Sequence, residues 1–142
     1  MSELPEKLQE IIEDFALLEG NEKLEYLMEL AEELPPLPER LAAHRDRMEQ
    51  VHECMTTVFV SAEKDADGRL TFYIDAPPES PTVRGYATIL TQGLSGATLD
   101  EVMAVPTEFY LQMELQQVLS GQRLTGIGGI LAHMKRVAAE SG

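Results

Sequence analysis

Apolar residues recur at helical spacing in the first part of the chain, and this spacing predicts two amphipathic helices. The first stripe ends before Gly20 and contains Leu8, Ile11, Ile12, Phe15 and Leu18. Asn21 is predicted to cap a second helix, whose stripe contains Leu24, Leu27, Met28, Ala31 and Leu34. Prolines at 35, 36 and 38 end that helix because proline lacks the amide hydrogen that a helix needs. Two antiparallel helices are therefore predicted.

The period changes to two in the middle of the chain, which predicts a β-hairpin. Residues 55–62 are rich in Thr, Val and Phe, and residues 69–75 alternate apolar with polar side chains. Asp67 and Gly68 form the predicted turn between them. The charged stretch 39–50 is predicted to be an irregular connection or a short helix, and a third strand stays unplaced.

Helical patterns return in the second half of the chain. A helix is predicted over 83–94, after the prolines at 77, 78 and 81. Thr98 and Glu101 have the spacing of a capping box for a short helix, and residues 108–119 are predicted to be helical. A long last helix begins near Ser120, with a stripe formed by Leu124, Ile127, Leu131, Met134 and Ala138. The order predicts an α+β fold, a single domain over 1–142 with helices on one face of a small antiparallel sheet.

The net charge limits the classes of binding partner, and the cysteine content bears on the cellular compartment. The chain has 142 residues, and 11 Lys and Arg against 25 Asp and Glu give a formal net charge of −14. This charge repels nucleic acid and anionic lipid, so neither partner is expected. One cysteine cannot form an internal disulfide, which suits a reducing compartment. The acidic first twenty residues do not resemble a secretory signal, and we expect a soluble cytoplasmic protein.

Cys54 is the main candidate for chemistry because it lies where the charged connection meets a predicted strand. Two interpretations of Cys54 remain open. Its thiol is either reactive, or buried and inert as free cysteines commonly are. The carboxylates of Glu49 and Glu53 disfavour a thiolate, whereas His52 and Arg47 favour it. The sequence therefore shows no strongly activated nucleophile of the protease kind.

Other motifs carry little chemistry. A metal site could combine His44, His52, Cys54 and His133, but their spacing matches no zinc motif. The stretch Gly126–Gly129 lacks the lysine of a P-loop and the preceding strand of a dinucleotide site. Close packing of the last helix is the prediction for these glycines, and neither a cofactor nor a metal is expected.

Five segments follow one another in an order that is more specific than any single motif. They are Asp14-Phe15-Ala16, Glu33-Leu34-Pro35-Pro36-Leu37-Pro38, Val51-His52-Glu53-Cys54 followed by a strand, Val83-Arg84-Gly85 and Gln122-Arg123-Leu124-Thr125-Gly126. Together they resemble the SufE family of sulfur acceptor proteins, over nearly the whole chain. The resemblance implies an α+β domain of the kind shared with iron–sulfur scaffold proteins of the IscU type.

The resemblance also implies a function. Cys54 matches the family's cysteine, which takes sulfane sulfur from the persulfide of a pyridoxal-phosphate cysteine desulfurase and passes it to an iron–sulfur cluster assembly scaffold. Such a persulfide carrier activates the desulfurase rather than acting as a stand-alone enzyme. Asp75, Arg84 and Arg123 match family positions and are implied to position the cysteine loop or to bind the desulfurase. A purely structural role for these three stays open, as does a homodimer.

The sequence departs from the family around the cysteine, where Glu53, Met55 and Thr56 replace the usual Gly, Gln and Ser. Loss of the glycine removes easy access to positive φ, and Glu53 adds charge beside an anionic persulfide. These departures motivate an alternative hypothesis, in which the protein is a non-catalytic adaptor that regulates a desulfurase without carrying sulfur. A zinc-loaded domain is a third hypothesis.

Overall fold

The computed structural model describes residues 4–53 and 56–141, and within these ranges it contains a three-stranded sheet and six α-helices. The helices are α1 (Glu6–Ala16), α2 (Asn21–Ala31), α3 (Glu39–Ala42), α4 (Pro81–Leu94), α5 (Leu99–Ala104) and α6 (Gly121–Glu140). The strands are β1 (Glu49–Gln50), β2 (Phe59–Lys64) and β3 (Leu70–Asp75). Short 3₁₀-helices cover Arg45–Arg47, Phe109–Met113 and Leu115–Gln117. The α+β fold predicted from the sequence is confirmed.

The sheet is antiparallel in the order β1-β2-β3. The alternation in β3 has the predicted consequence, since Leu70, Phe72 and Ile74 are all buried. Asp65 shapes the turn, where its side chain accepts hydrogen bonds from two backbone N–H groups, and Gly68 has a φ of 79°. The hairpin is thus confirmed, although β2 begins at Phe59, later than predicted.

Helix α4 lies at the centre of the fold. It packs against α1, α2, α6 and β3, and most of its side chains are buried, including Ile89, Leu90 and Leu94. Helix α6 covers β2 and buries Ile127, Leu131, Met134 and Ala138 of its predicted stripe. The core therefore lies between the sheet and these helices, where burial of apolar surface drives their association.

Two details predicted for α2 are wrong. Asn21 is the first helical residue, and the N-cap is Gly20, whose φ of 55° a glycine adopts at no steric cost. The carboxylate of Glu22 instead accepts a hydrogen bond from the backbone N–H of Glu19 at 2.9 Å. Met28 is exposed, and Leu30 takes the expected place in the buried stripe because it shares a face with Leu27.

The predicted helix over 108–119 is also wrong, since this stretch forms two 3₁₀-helices separated by Glu114 at a φ of 55°. Met113 and Leu115 are both buried. Residues two apart point in nearly opposite directions on an α-helix, so a helix that buries only one face would leave one of the two exposed. A left-handed residue between them brings both side chains to the core.

Two further helix starts follow the sequence. Thr98 and Glu101 form the predicted capping box, and Ser120 caps α6 by accepting a hydrogen bond from the backbone N–H of Arg123 at 3.2 Å. The connection 39–50 contains α3, a 3₁₀-turn and the short strand β1, which is the strand that the sequence left unplaced. Across the described part of the chain, no helix combines the length and the apolar character needed to cross a membrane.

Candidate functional site

The cysteine segment, residues 51–58, connects β1 to β2. Cys54 itself lies outside the described residues, so the geometry of the site is given by the residues around it. The backbone N–H of Val51 donates to the carbonyl of Val58 at 2.8 Å, and both side chains are fully buried. This contact continues the pairing of β1 with β2 and fixes the two ends of the segment next to each other.

Thr56 lines a small cavity at the N-terminal end of α6. The cavity measures about 90 Å³, and its other lining residues are Ser80, Val83, Ser120, Gln122, Arg123 and Gly126. The hydroxyl oxygen of Thr56 is buried and has no hydrogen-bond partner among the described residues. Arg123 donates a hydrogen bond to the hydroxyl of Thr82, which ties the start of α6 to α4. The cavity is therefore lined by hydroxyl groups and by the side chain of Arg123.

Thr57, the next residue, lines a larger groove of about 580 Å³ that also contains Asp75 and Arg84. Asp75 accepts a hydrogen bond from Nε of Arg45 at 2.6 Å. Arg84 donates from Nη1 to the carbonyl of Ala76, also at 2.6 Å. The structure thus brings Asp75 and Arg84 into one groove.

The predicted site residues are distributed over two neighbouring cavities. Arg123 lies in the small cavity and not in the groove, and its partner Thr82 is two residues before Arg84 on α4. Arg45 joins them as a residue that the sequence did not single out for this site. Three guanidinium groups consequently border the cysteine segment in a protein whose formal net charge is −14. Such groups favour bound anions.

Glu53, which immediately precedes Cys54, faces α6. Its carboxylate accepts a hydrogen bond from Nε2 of His133 at 2.9 Å, and Nδ1 of His133 is hydrogen-bonded to the carboxylate of Glu49. Arg136 lies one helical turn further along and approaches Glu49, with 3.4 Å between Nε and the carboxylate oxygen. Sequence reasoning considered His133 only as a metal ligand and missed this contact. The replacement of a glycine by Glu53 was the one available signal.

These contacts shift two pKa values. A hydrogen bond from its own backbone N–H and, more weakly, the contact with His133 lower the pKa of Glu53 against the opposing effect of burial. Burial lowers the pKa of His133, but the hydrogen bonds and charges of Glu49 and Glu53 outweigh it, so the pKa is raised overall.

Gly129 allows the approach of Glu53 to α6. A Cβ at this position would lie 2.8 Å from Cβ of Glu53 and 3.1 Å from its Cγ and Cδ. The prediction that glycines in 126–129 serve close packing of the last helix is confirmed at Gly129.

The described residues do not arrange the histidines proposed as metal ligands into a metal site. His44 and His52 are exposed, whereas His133 is engaged with the two glutamates. Within residues 4–53 and 56–141, no group of three His, Asp or Glu side chains is arranged to hold a metal ion. Cys54 lies outside these ranges, and a site that includes its thiol stays a hypothesis.

Comparisons with a family model and with known proteins both identify SufE-like sequences as similar to this chain. Residues 9–138 match the family model described as "SufE: Fe-S metabolism associated domain". A protein of Mycobacterium tuberculosis described as an uncharacterized SufE-like protein is 39% identical over 138 residues, which cover 97% of this chain and 95% of the relative. SufE-like protein 1, chloroplastic/mitochondrial, of Arabidopsis thaliana is 32% identical over 139 residues, which are 97% of this chain but 36% of the longer plant protein.

The fold has a counterpart among solved structures. The solution structure of a hypothetical protein from Thermus thermophilus superimposes with a TM-score of 0.84 at 31% sequence identity, covering 97% of each chain.

Proposed function

Because the chain belongs to the SufE family, whose domain is associated with iron–sulfur metabolism, we propose that it is a sulfur carrier in that metabolism. Cys54 accepts persulfide sulfur from a cysteine desulfurase, stimulates that enzyme, and relays the sulfur to an iron–sulfur cluster assembly scaffold. The observation that best supports this proposal concerns the segment that contains the only cysteine of the sequence. Thr56 and Thr57, two and three residues after Cys54, line two cavities bordered by arginines.

The reaction is a thiol exchange on sulfur. The thiolate of Cys54 attacks the terminal sulfur of the desulfurase persulfide, a new S–S bond forms at Cys54, and the desulfurase cysteine leaves as a thiolate. The exchange involves no net oxidation or reduction. Its requirements are an accessible thiolate and a good leaving thiolate, and docking to the desulfurase supplies the orientation.

The arginines supply the charge that an anionic persulfide needs. We assign Arg84 and Arg123 to positioning the cysteine segment, since they brace α4 against residue 76 and against α6, and both border cavities that the segment lines. Asp75, paired with Arg45 at the rim of the groove, is assigned to the same task or to docking of the desulfurase. Guanidinium groups in partly buried positions stabilise anions because they keep their charge and are weakly hydrated.

The test is sulfur loading by a cysteine desulfurase. The protein is incubated with the desulfurase and free cysteine, without reductant, and peptide mass spectrometry searches for added sulfur on the peptide that contains Cys54. We expect added sulfur that depends on the desulfurase and is absent from the variant Cys54→Ser. A cognate desulfurase that binds the protein but transfers no sulfur would contradict the proposal.

A second candidate is an adaptor that regulates the desulfurase without carrying sulfur. The observation that favours it is the carboxylate of Glu53, which is held beside the cysteine position where the family pattern has glycine. The two functions differ in one measurement, because an adaptor stimulates the desulfurase equally well as Cys54→Ser. The circular dichroism spectrum of that variant establishes that the domain remains folded.

A further inference from the structure

His133 bridges two carboxylates that come from different parts of the fold. Glu49 belongs to β1 and Glu53 belongs to the cysteine segment, and each faces one ring nitrogen of His133. A neutral imidazole carries a single N–H, so it can donate to only one of two carboxylates. Both contacts are satisfied together only by the imidazolium. The geometry therefore selects the charged form of His133.

The helix surface is shaped for this contact. Gly129 and His133 are four residues apart on α6 and share one face of the helix. The side chain of Glu53 lies across the bare backbone at Gly129, where a Cβ would clash with it, and its carboxylate then reaches Nε2 of His133. Glu53, Gly129 and His133 thus form a matched set, which we call the Glu53 clamp.

We propose that His133 is a positioning residue for sulfur transfer, which fixes the cysteine segment on α6 through the Glu53 clamp. The proposal rests on the proposed function, because it takes Cys54 as the sulfur acceptor. Glu53 is covalently adjacent to Cys54, so anchoring its side chain limits the backbone conformations from which the thiol can react. Neither Arg84 nor Arg123 makes a contact with Glu53 that would duplicate this anchor in the described structure.

The charges that face His133 support its role. They are Glu49 from β1, Glu53 from the cysteine segment and Arg136 from α6, and Arg136 also lies 3.7 Å from the carboxylate of Glu140. Glu49 and Glu53 are both hydrogen-bonded to His133, in agreement with the raised pKa of His133. The His133 side chain is only 15% exposed, so these charges are less screened by solvent than those of surface pairs.

The test measures how fast Cys54 is alkylated by iodoacetamide in the free protein. Because the chain has one cysteine, the rate reports on this position alone. The variants are His133→Gln, Glu53→Gln and the double variant, and His44→Gln is the control because His44 is exposed and lies outside the clamp. Rates are referred to the thiolate fraction, which is obtained from the ultraviolet titration of each protein.

We expect the alkylation rate to rise about threefold to tenfold in His133→Gln, because the charge-assisted hydrogen bond to Glu53 is lost. The effect is limited because the Glu53 side chain is 44% exposed, so that solvent partly screens its charge. Loss of the positive imidazolium would by itself disfavour the thiolate, so a rise cannot come from this electrostatic effect. The same rise is expected in Glu53→Gln, with no further rise in the double variant, because both substitutions open one contact. His44→Gln should behave as the original protein.

The pH dependence separates positioning from a general loss of structure. The ratio of the His133→Gln rate to the original rate should fall towards one as the pH rises and His133 becomes neutral, since the clamp then loses one donor in the original protein as well. An unchanged or lowered rate in a folded His133→Gln, or additive effects in the double variant, would overturn the proposal. If the alkylation rates change as expected but the desulfurase loads no sulfur on Cys54, the proposed function is rejected while the contact of Glu53 with His133 is still supported.

Discussion

Gly85 of α4 lies against the backbone of Leu27 in α2, and a Cβ at this glycine would be 2.1 Å from the carbonyl oxygen of Leu27. The two helices therefore approach more closely here than a side chain would allow. This contact holds α2 against the central helix α4, and Arg84 is the residue immediately before Gly85. The glycine that accompanies the arginine in the sequence pattern thus has a packing role.

Replacing Gly85 by alanine should destabilise the domain strongly. The methyl group meets backbone atoms, which cannot rotate away, so we expect a loss of about 3 kcal/mol or more in the free energy of unfolding. Gly121→Ala is the matched control, because no atom lies within 4 Å of its Cβ position. Urea unfolding measures both, and equal stabilities of the two variants would contradict the close approach.

Removing the capping box of α5 should cost about 1 kcal/mol. Thr98 accepts a hydrogen bond from the backbone N–H of Glu101, and the carboxylate of Glu101 accepts one from the backbone N–H of Thr98 at 2.9 Å. We expect Thr98→Ala to lower the free energy of unfolding by this amount and Glu101→Gln, which keeps an acceptor, to lower it less. Thermal unfolding measures which of the two variants is less stable. A larger loss of stability in Glu101→Gln than in Thr98→Ala would show that the charge of Glu101 matters more than the capping hydrogen bond.

The contribution of His133 to stability should depend on pH. Its pKa in the folded protein is raised above the reference value of 6.5, so the folded state binds the proton more tightly than the unfolded state. The stabilisation is then complete below about pH 6.5 and is lost as the pH rises through the folded-state pKa. The difference in unfolding free energy between the original protein and His133→Gln should be larger at about pH 6 than at about pH 9. A difference that stays constant with pH would contradict a bridging imidazolium.

Replacing Tyr86 by phenylalanine should leave the stability unchanged or raise it by about 1 kcal/mol. The hydroxyl of Tyr86 is buried and finds no hydrogen-bond partner in 4–53 and 56–141, and burial raises its pKa well above 10.0. A buried hydroxyl without a partner retains its desolvation cost, which phenylalanine avoids while the ring keeps its contact with Phe109. Tyr26→Phe, at an exposed hydroxyl, serves as the control. A marked loss of stability in Tyr86→Phe would contradict the assignment of an unpaired hydroxyl.

Local signals predicted most of the elements. The alternation in 70–75 and the turn at Gly68 determined the hairpin, and Thr98 and Ser120 marked two helix starts, because each signal involves neighbours in sequence. Prediction failed where the packing of distant segments decided the conformation. The stretch around Glu114 has helical composition, but Met113 and Leu115 are both buried and Glu114 between them adopts a left-handed conformation.

In the candidate site, too, the sequence identified some residues, whereas others became apparent only from the packing of distant segments. The resemblance drew attention to Cys54, Asp75, Arg84 and Arg123, and the structure places the last three at the borders of cavities next to the cysteine segment. Arg45, which completes the groove through its contact with Asp75, carried no sequence signal. Its role depends on how the connection before β1 brings Arg45 to Asp75 at the end of β3, and the charged composition of that connection does not specify this path.

The sequence by itself determined the acidic character of the protein, the fold class, the hairpin and the cysteine that defines the candidate chemistry. Only the tertiary structure decided what the residue before that cysteine, Glu53, contacts. Glu53 and His133 are 80 residues apart, and their contact depends on the close approach of Glu53 to α6 at Gly129. Helical periodicity identifies a buried face but not its neighbour. The partner of a polar side chain is therefore known only after the elements have packed.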